Sequence, residues 1–315
     1  MPLNGRSPLR ITAIQTGTGN CHRRQVSSPV NIGTLRRRAE LMLDRRWTGP
    51  HPIYAYLIDH PEGLVLVDTG DTARKSEPGY MPRLNPFFRY CIDIRVAPEE
   101  EIGPQLSALG VASRDLRLVA MTHLHHDHTG GLPHLPHNRI LVSADCLNAA
   151  RRKRGLIGAV PRTWPRWFDP EPLRFSGPPV GPFARSAPLT RDGAIVAVQT
   201  PGHMTGHVCI IARAERLTYV LAGDVTYRQD LLLADAVDGV TDDPAQSLAS
   251  QRAIKQLAMS EPTVLLPAHD PDAAARLAGG SPCIRRSRPR RRAPRVDHYA
   301  PGAGRTSTAS TPWRP

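Results

Sequence analysis

Thr122-His123-Leu124-His125-His126-Asp127-His128-Thr129-Gly130-Gly131 follows directly on the apolar run Leu116 to Met121. A short, continuously apolar run of this kind reads as a strand covered on both faces. Beyond it, potential ligands at positions 123, 125, 127 and 128 fall within six residues. In an extended segment residues two apart point the same way, so His123 and His125 can grip one ion together. If the chain then turns at the double glycine into a helix, Asp127 and His128 swing toward a second ion. Neutral imidazole and carboxylate are good ligands for zinc and related divalent metals.

The same arrangement recurs down the chain. The run Ala194 to Val198 leads into Thr200-Pro201-Gly202-His203, Thr218 to Ala222 into Gly223-Asp224, and Thr263 to Leu266 into Pro267-Ala268-His269-Asp270. Four strands that each deliver a His or Asp to the loop beyond their C-terminal ends would gather those loops at one rim. Further strands are expected at Arg10 to Gln15, Ile53 to Ile58, Leu64 to Val67, Ile140 to Val142 and Val208 to Ile211. Helical signals are fewer. The clearest starts at Asp243 as N-cap with Pro244 in the first turn and runs through Leu248, Ile254 and Leu257. Weaker ones cover Ile102 to Leu109 and Ala144 to Arg154. Many strands and few helices predict two sheets packed face to face with helices outside, an α/β sandwich.

The combined pattern HxHxDH, PGH, GD and a late AH resembles the metallo-β-lactamase superfamily, over Ile53 to His269. The resemblance implies a four-layer αββα sandwich and two divalent metal ions per chain, zinc foremost. It implies His123, His125 and His203 around the first ion, Asp127, His128 and His269 around the second, and Asp224 bridging both. Asp68, in Val67-Asp68-Thr69-Gly70, matches the family's early DTG element and is expected to support the ligand loops. The implied reaction is metal-dependent hydrolysis, with a deprotonated water shared by the two ions as nucleophile. Asp127 and Tyr227 are the expected catalytic side chains. His207 is expected to support a ligand loop, and His126, His134 and His137 to stay outside the ligand set.

Within the superfamily, Asp224 counts against antibiotic hydrolysis, because the β-lactamases lack that bridge. Gly223-Asp224-Val225-Thr226-Tyr227 is similar to the N-acyl-homoserine lactone lactonases, whose tyrosine three residues past the aspartate contacts the lactone. A phenol there could donate a hydrogen bond to the carbonyl oxygen as charge develops. Ring opening of N-acyl-homoserine lactones (quorum quenching) is the leading expectation, and a small acylated lactone or related ester the expected partner. A glyoxalase-type thioesterase, a phosphodiesterase or an esterase on the same site is the alternative. Phe87, Phe88 and Tyr90, or Trp164, Trp167 and Phe168, are candidates to line an acyl groove.

The formal charge of +13 over 315 residues suggests a nucleic-acid partner until its distribution is read. Nine arginines against one acid between Ser281 and Pro315 carry +8 of it, leaving +5 for the other 280 residues. The division expected is a hydrolase domain over 1–280 and a basic, disordered tail over 281–315. Binding of nucleic acid through the Arg-rich tail is the remote alternative. Arg151 to Pro188, rich in Pro, Arg and Trp, reads as a surface excursion. The five cysteines are scattered with no CxxC pair, which suits a reducing compartment. With no signal-like N-terminal stretch and no run of transmembrane length, a soluble cytoplasmic protein with no membrane partner is expected. A homodimer is left open.

Overall fold

The computed structural model describes residues 9–82, 84–153 and 158–284. Among them, twelve strands form two sheets that follow one another along the chain. The first holds β1 (Arg10–Cys21), β2 (His51–Asp59), β3 (Leu64–Val67), β4 (Ile92–Arg95), β5 (Leu116–Ala120), β6 (Ile140–Val142) and β7 (Glu171–Pro172), in the order β4-β1-β2-β3-β5-β6-β7. The second holds β8 (Ser186–Pro188), β9 (Ile195–Gln199), β10 (Val208–Arg213), β11 (Thr218–Gly223) and β12 (Thr263–Pro267), in the order β12-β11-β10-β9-β8. All nine expected strands are present.

Three apolar layers show how the sheets stack. Tyr56, Ile58, Val67, Leu118 and Ala120 of the first sheet pack with Ile195, Ala197, Val208, Ile210 and Leu266 of the second. On the first sheet's other face, Leu57, Leu66 and Val119 meet Ile102, Leu106, Cys146 and Ala149 from the helices Ile102–Ala108 and Ala144–Lys153. On the second sheet's other face, Val198, Cys209 and Ile211 meet Ile254, Leu257 and Ala258 of the helix Pro244–Ser260. Alternate residues along a strand face opposite sides, so β10 sends Val208 and Ile210 inward and Cys209 and Ile211 outward. The result is the expected αββα sandwich. Asp243 caps its long helix as expected, its side chain accepting from the Gln246 N–H at 3.0 Å.

The stretch Arg151 to Pro188 is less of an excursion than its composition suggests. Phe168 and Leu173 are buried in the two sheet layers, and Val180 and Phe183 pack under the long helix. It carries β7 and β8, the connection between the two sheets. The disordered tail is expected over 281–315, of which 285–315 lie outside the described residues. Before them, Cys283 is buried and its N–H donates to the Thr263 carbonyl at 2.7 Å, so packing continues past Gly280. All five cysteines are buried and none of them forms a disulfide. No described helix is long and apolar enough to cross a membrane.

Candidate metal centre

Strand direction gathers the ligand loops. β3 and β5 run parallel, as do β11 and β12, while β9 and β11 each pair antiparallel with β10 and so share one direction. Their C-terminal ends carry Asp68, His123, Asp224, His269 and His203. The two rims are joined where the Val208 N–H donates to the Thr122 carbonyl at 2.9 Å. After His125 the chain makes the short helix His126–Thr129, which turns Asp127 and His128 away from the first pair. Gly202, at φ 139°, lets the His203 loop press on the long helix, where a Cβ would lie 2.2 Å from Ser247 Cα. Only glycine fits there.

The seven expected ligands meet in two groups. Ligand atoms of His123, His125, His203 and Asp224 all lie within 4.8 Å of one another, and so do those of Asp127, His128 and His269. Asp224 faces both groups. Its Oδ2 is 3.9 Å from His123 Nε2 and 3.4 Å from His203 Nε2, and its Oδ1 is 3.3 Å from His128 Nε2 and 3.2 Å from His269 Nε2. Asp127 Oδ2 lies 3.5 Å from His269 Nε2. His125 Nδ1 and His203 Nε2 converge at 3.0 Å.

A surrounding set of acceptors fixes which ring nitrogens face inward. His128 Nδ1 lies 2.8 Å from Asp68 Oδ2, His203 Nδ1 3.0 Å from Asp238 Oδ2, and His269 Nδ1 3.0 Å from the Pro52 carbonyl. In each case the outer nitrogen donates and leaves the Nε2 lone pair for the centre. Asp68 also takes the Thr122 N–H and hydroxyl, each at 2.7 Å. His207 accepts the Asp224 backbone N–H at 3.2 Å, which steadies the bridging position, and its other nitrogen meets Thr200 Oγ1 at 2.9 Å. Burial pushes His207 down to about 3, so it stays a neutral acceptor. Sequence reasoning missed Asp238, because no spacing ties it to His203, 35 residues before it.

A model of the metallo-beta-lactamase superfamily matches residues 48–269. The chain belongs to the metallo-β-lactamase superfamily. A probable metallo-hydrolase of Mycobacterium tuberculosis is 28% identical over 184 residues, covering 57% of this chain and 58% of that relative. The chain therefore matches under two-thirds of that protein's length. An N-acyl homoserine lactonase of Azorhizobium caulinodans is 26% identical over 234 residues, covering 70% of this chain and 83% of the relative. A solved N-acyl homoserine lactone hydrolase with N-hexanoyl-L-homoserine at its catalytic metal centre shares the fold, with a TM-score of 0.66 at 20% identity over 85% of this chain and 95% of that one. A dizinc quorum-quenching lactonase does so with a TM-score of 0.55 at 16% identity, over 84% and 89%.

Whether the superfamily's metal ions suit these residues can be judged from the side chains. His123 Nε2, His128 Nε2 and Asp224 Oδ1 are buried with no hydrogen-bond partner. Such atoms are rare unless something else satisfies them. Nitrogen and carboxylate oxygen are the donors that zinc-type ions take. The residues fit two ions. Burial and neighbouring imidazoles hold His123 and His125 well below the usual range, which favours neutral ligands. Burial alone would lower His128, His203 and His269 too, but Asp224, Asp68 and Asp238 outweigh it and raise all three. Metal must therefore displace protons there, and affinity should fall as the pH drops. Elemental analysis of protein purified without chelator should give about two transition-metal equivalents per chain at neutral pH and fewer in acid. Turnover with less than about one-fifth of an equivalent would refute the assignment.

Tyr227 and Asp127 line one pocket with His269, Gln25, His51 and Ile53. The Tyr227 ring stands 5.1 Å from the His269 ring, and its hydroxyl accepts from Gln25 Nε2 at 3.4 Å. Burial and then Asp224 raise the phenol well above its ordinary range, so it keeps its proton. Of the six aromatic candidates, Phe88 lines a neighbouring hollow that shares Ile92 and Ile94 with this pocket. Phe87 and Phe168 are core, Tyr90 is exposed, and Trp164 and Trp167 line a separate hollow beside Arg162. His126 lies 3.2 Å from Asp71 Oδ2 and 3.1 Å from Lys75 Nζ, outside both groups. His134 bonds Glu101, and His137 is exposed. Another gathering, His60, Glu62 and Asp192, is spent on itself and on Arg117.

Proposed function

We propose that this chain is a metal-dependent hydrolase that opens the ring of N-acyl homoserine lactones. The observation that carries this reading is the pocket beside Asp127 and His269. It combines the Tyr227 hydroxyl with Ile53, Ile92 and Ile94, and among the described residues no Lys or Arg lines it. A neutral, partly apolar substrate suits such walls, whereas a phosphodiester or an acidic thioester would find no side-chain cation. The relatives that act on homoserine lactones support the same choice.

His123, His125 and His203 would hold one ion and Asp127, His128 and His269 the other, with Asp224 shared, and zinc is the expected metal. Such a pair supplies, when bound, a Lewis acid for the scissile carbonyl and a water acidic enough to attack at neutral pH. Asp224 sets the separation of the two ligand groups. Tyr227, its oxygen occupied by the Gln25 donor, has its own proton free to give to the carbonyl oxygen. Asp127 is the site carboxylate that reaches the pocket, with 16% of its side chain exposed against 2% for Asp224. Asp127 would take the proton released as the attacking water adds to the carbonyl and pass it to the leaving alkoxide as the ring C–O bond breaks, giving an N-acyl homoserine.

Metal-loaded protein should be offered N-hexanoyl homoserine lactone, a thioester and an activated phosphodiester. The lactone is expected to lead in kcat/KM by about a hundredfold or more. A lead for either of the others would overturn the assignment. Tyr227→Phe should lower kcat on the lactone by about tenfold, less than a sole oxyanion donor because a metal shares the task. Metal content should stay the same. Unchanged kcat and KM would make Tyr227 a packing residue.

A further inference from the structure

The helix Thr34–Leu43 meets the rest of the fold through Arg37 and Leu41, its two buried residues. Beside them Arg38 donates to the carbonyls of Gly239 and Thr241 at 3.1 and 3.3 Å. Those contacts turn the opposite side of the helix outward. Residues four apart share one helix face, and Leu35, Ala39 and Leu43 are all exposed. The two leucines are 86% and 78% exposed, so no described residue covers them. Four residues beyond Leu43, Trp47 is 43% exposed, its ring set edge-on against His22 with centroids 4.8 Å apart.

Charge is concentrated on the same segment. Residues 23–48 hold seven arginines against Glu40 and Asp44, a net +5, which is the whole excess of residues 1–280. Both acids are already taken, Glu40 by Arg36 at 2.9 Å and Arg24 at 3.7 Å, and Asp44 by Arg46 at 3.0 Å. Arg23 and Arg45 are exposed and enter no ion pair among the described residues. Exposed leucines and a tryptophan set among arginines suit the boundary of an anionic bilayer, where apolar side chains enter the acyl region and guanidiniums stay with the headgroups. We infer that the face formed by Leu35, Ala39, Leu43 and Trp47 docks on an anionic lipid surface. A second copy is a poor occupant, because a two-fold contact would set one +5 segment against another. Side chains that project this far also suit a fluid surface better than a shaped protein pocket. The helix adjoins the site as well, since Leu41 packs with Phe88 and Ile92, which line the hollows beside Tyr227. Docking would bring that site to where acylated molecules collect, whatever bond it hydrolyses, and it needs no spanning segment.

The test sediments the full chain with vesicles of phosphatidylcholine alone, or mixed with an equal part of phosphatidylglycerol, at about 0.15 M salt. The chain should bind the mixed vesicles and leave the neutral ones. Leu35→Ser combined with Leu43→Ser should weaken that binding about tenfold or more, with Tm and metal content unchanged because both side chains are exposed. Arg45→Glu should weaken it too. Brominated acyl chains should quench part of the native tryptophan emission, a part that Trp47→Phe removes. Binding that survives the paired leucine substitution would belong to the Arg-rich tail and would overturn the inference. So would a failure to bind the mixed vesicles, or a leucine-dependent dimer or complex with an acidic protein in place of vesicle binding.

Discussion

Asp224→Asn is expected to cost at least about a hundredfold in turnover, the upper end of what an outer partner of a metal ligand costs. On the proposed assignment Asp224 is a ligand shared by both ions, and no outer partner. Its two oxygens each face two imidazole nitrogens, at 3.2 to 3.9 Å, in a site where the residue is 1% exposed. Asparagine keeps the shape but loses the charge that offsets two cations. Its NH2 must also face one imidazole pair, replacing an acceptor by a donor toward lone pairs that need a cation. Metal content should drop, most strongly from the group the NH2 faces, and excess metal should restore part of the activity through the remaining oxygen. The loop itself should survive, because His207 holds the backbone N–H of position 224 and Gly223, at φ 50°, sets the turn. Calorimetry should show a folded variant while elemental analysis shows lost metal. If Asp224 only capped a turn, asparagine would serve as well, with metal and turnover unchanged.

The residues expected as ligands could be picked out because they sit where apolar strands end, and strand direction brings those ends together. The central strands were legible for a related reason. Covered by a layer on each face, β5, β9, β10 and β11 are apolar in nearly every residue. The edge strands β4, β7 and β8 are harder to read. Ile92–Arg95 alternates apolar and charged residues over only four positions, and β7 and β8 each include a proline. The helix Thr34–Leu43 carries three arginines and buries only Arg37 and Leu41, so it leaves little apolar stripe to read. Arg37 Nη2 donates to the carbonyls of Pro29, Val30 and Ile32, which no sequence pattern announces. The outer shell is illegible for the same reason. Asp238, Gln25 and His51 reach the centre from separate parts of the chain, and only the folded sheet order makes them neighbours.

Asp68→Ala should show that the centre depends on residues that touch no metal. Asp68 sits at φ 60°, a conformation that costs a non-glycine residue roughly 1 kcal/mol or more and that Asp tolerates better than Ala. The surroundings impose it so that one carboxylate can take three donors: the Thr122 N–H, the Thr122 hydroxyl and His128 Nδ1. Alanine leaves those buried donors unpaired, at about 1–3 kcal/mol each where water cannot reach them. A fall in Tm of about 5 °C or more is the expected result, at roughly 2–4 °C per kcal/mol for a domain somewhat smaller than this. His128 would also lose the acceptor that keeps its proton on Nδ1, so its Nε2 would no longer be held as a lone pair toward Asp224. Metal affinity or turnover should therefore fall about 10- to 100-fold, the usual cost of losing a histidine's outer partner. Asp68→Asn separates the two effects. Asparagine tolerates the positive φ and keeps one acceptor, so most of the Tm should return, but its NH2 must confront either the Thr122 N–H or the donors at Oδ2. Metal binding should then stay weaker than in the native chain. A variant with normal metal content and turnover would reduce Asp68 to a turn residue, and would leave His128 to be oriented by the sheet alone.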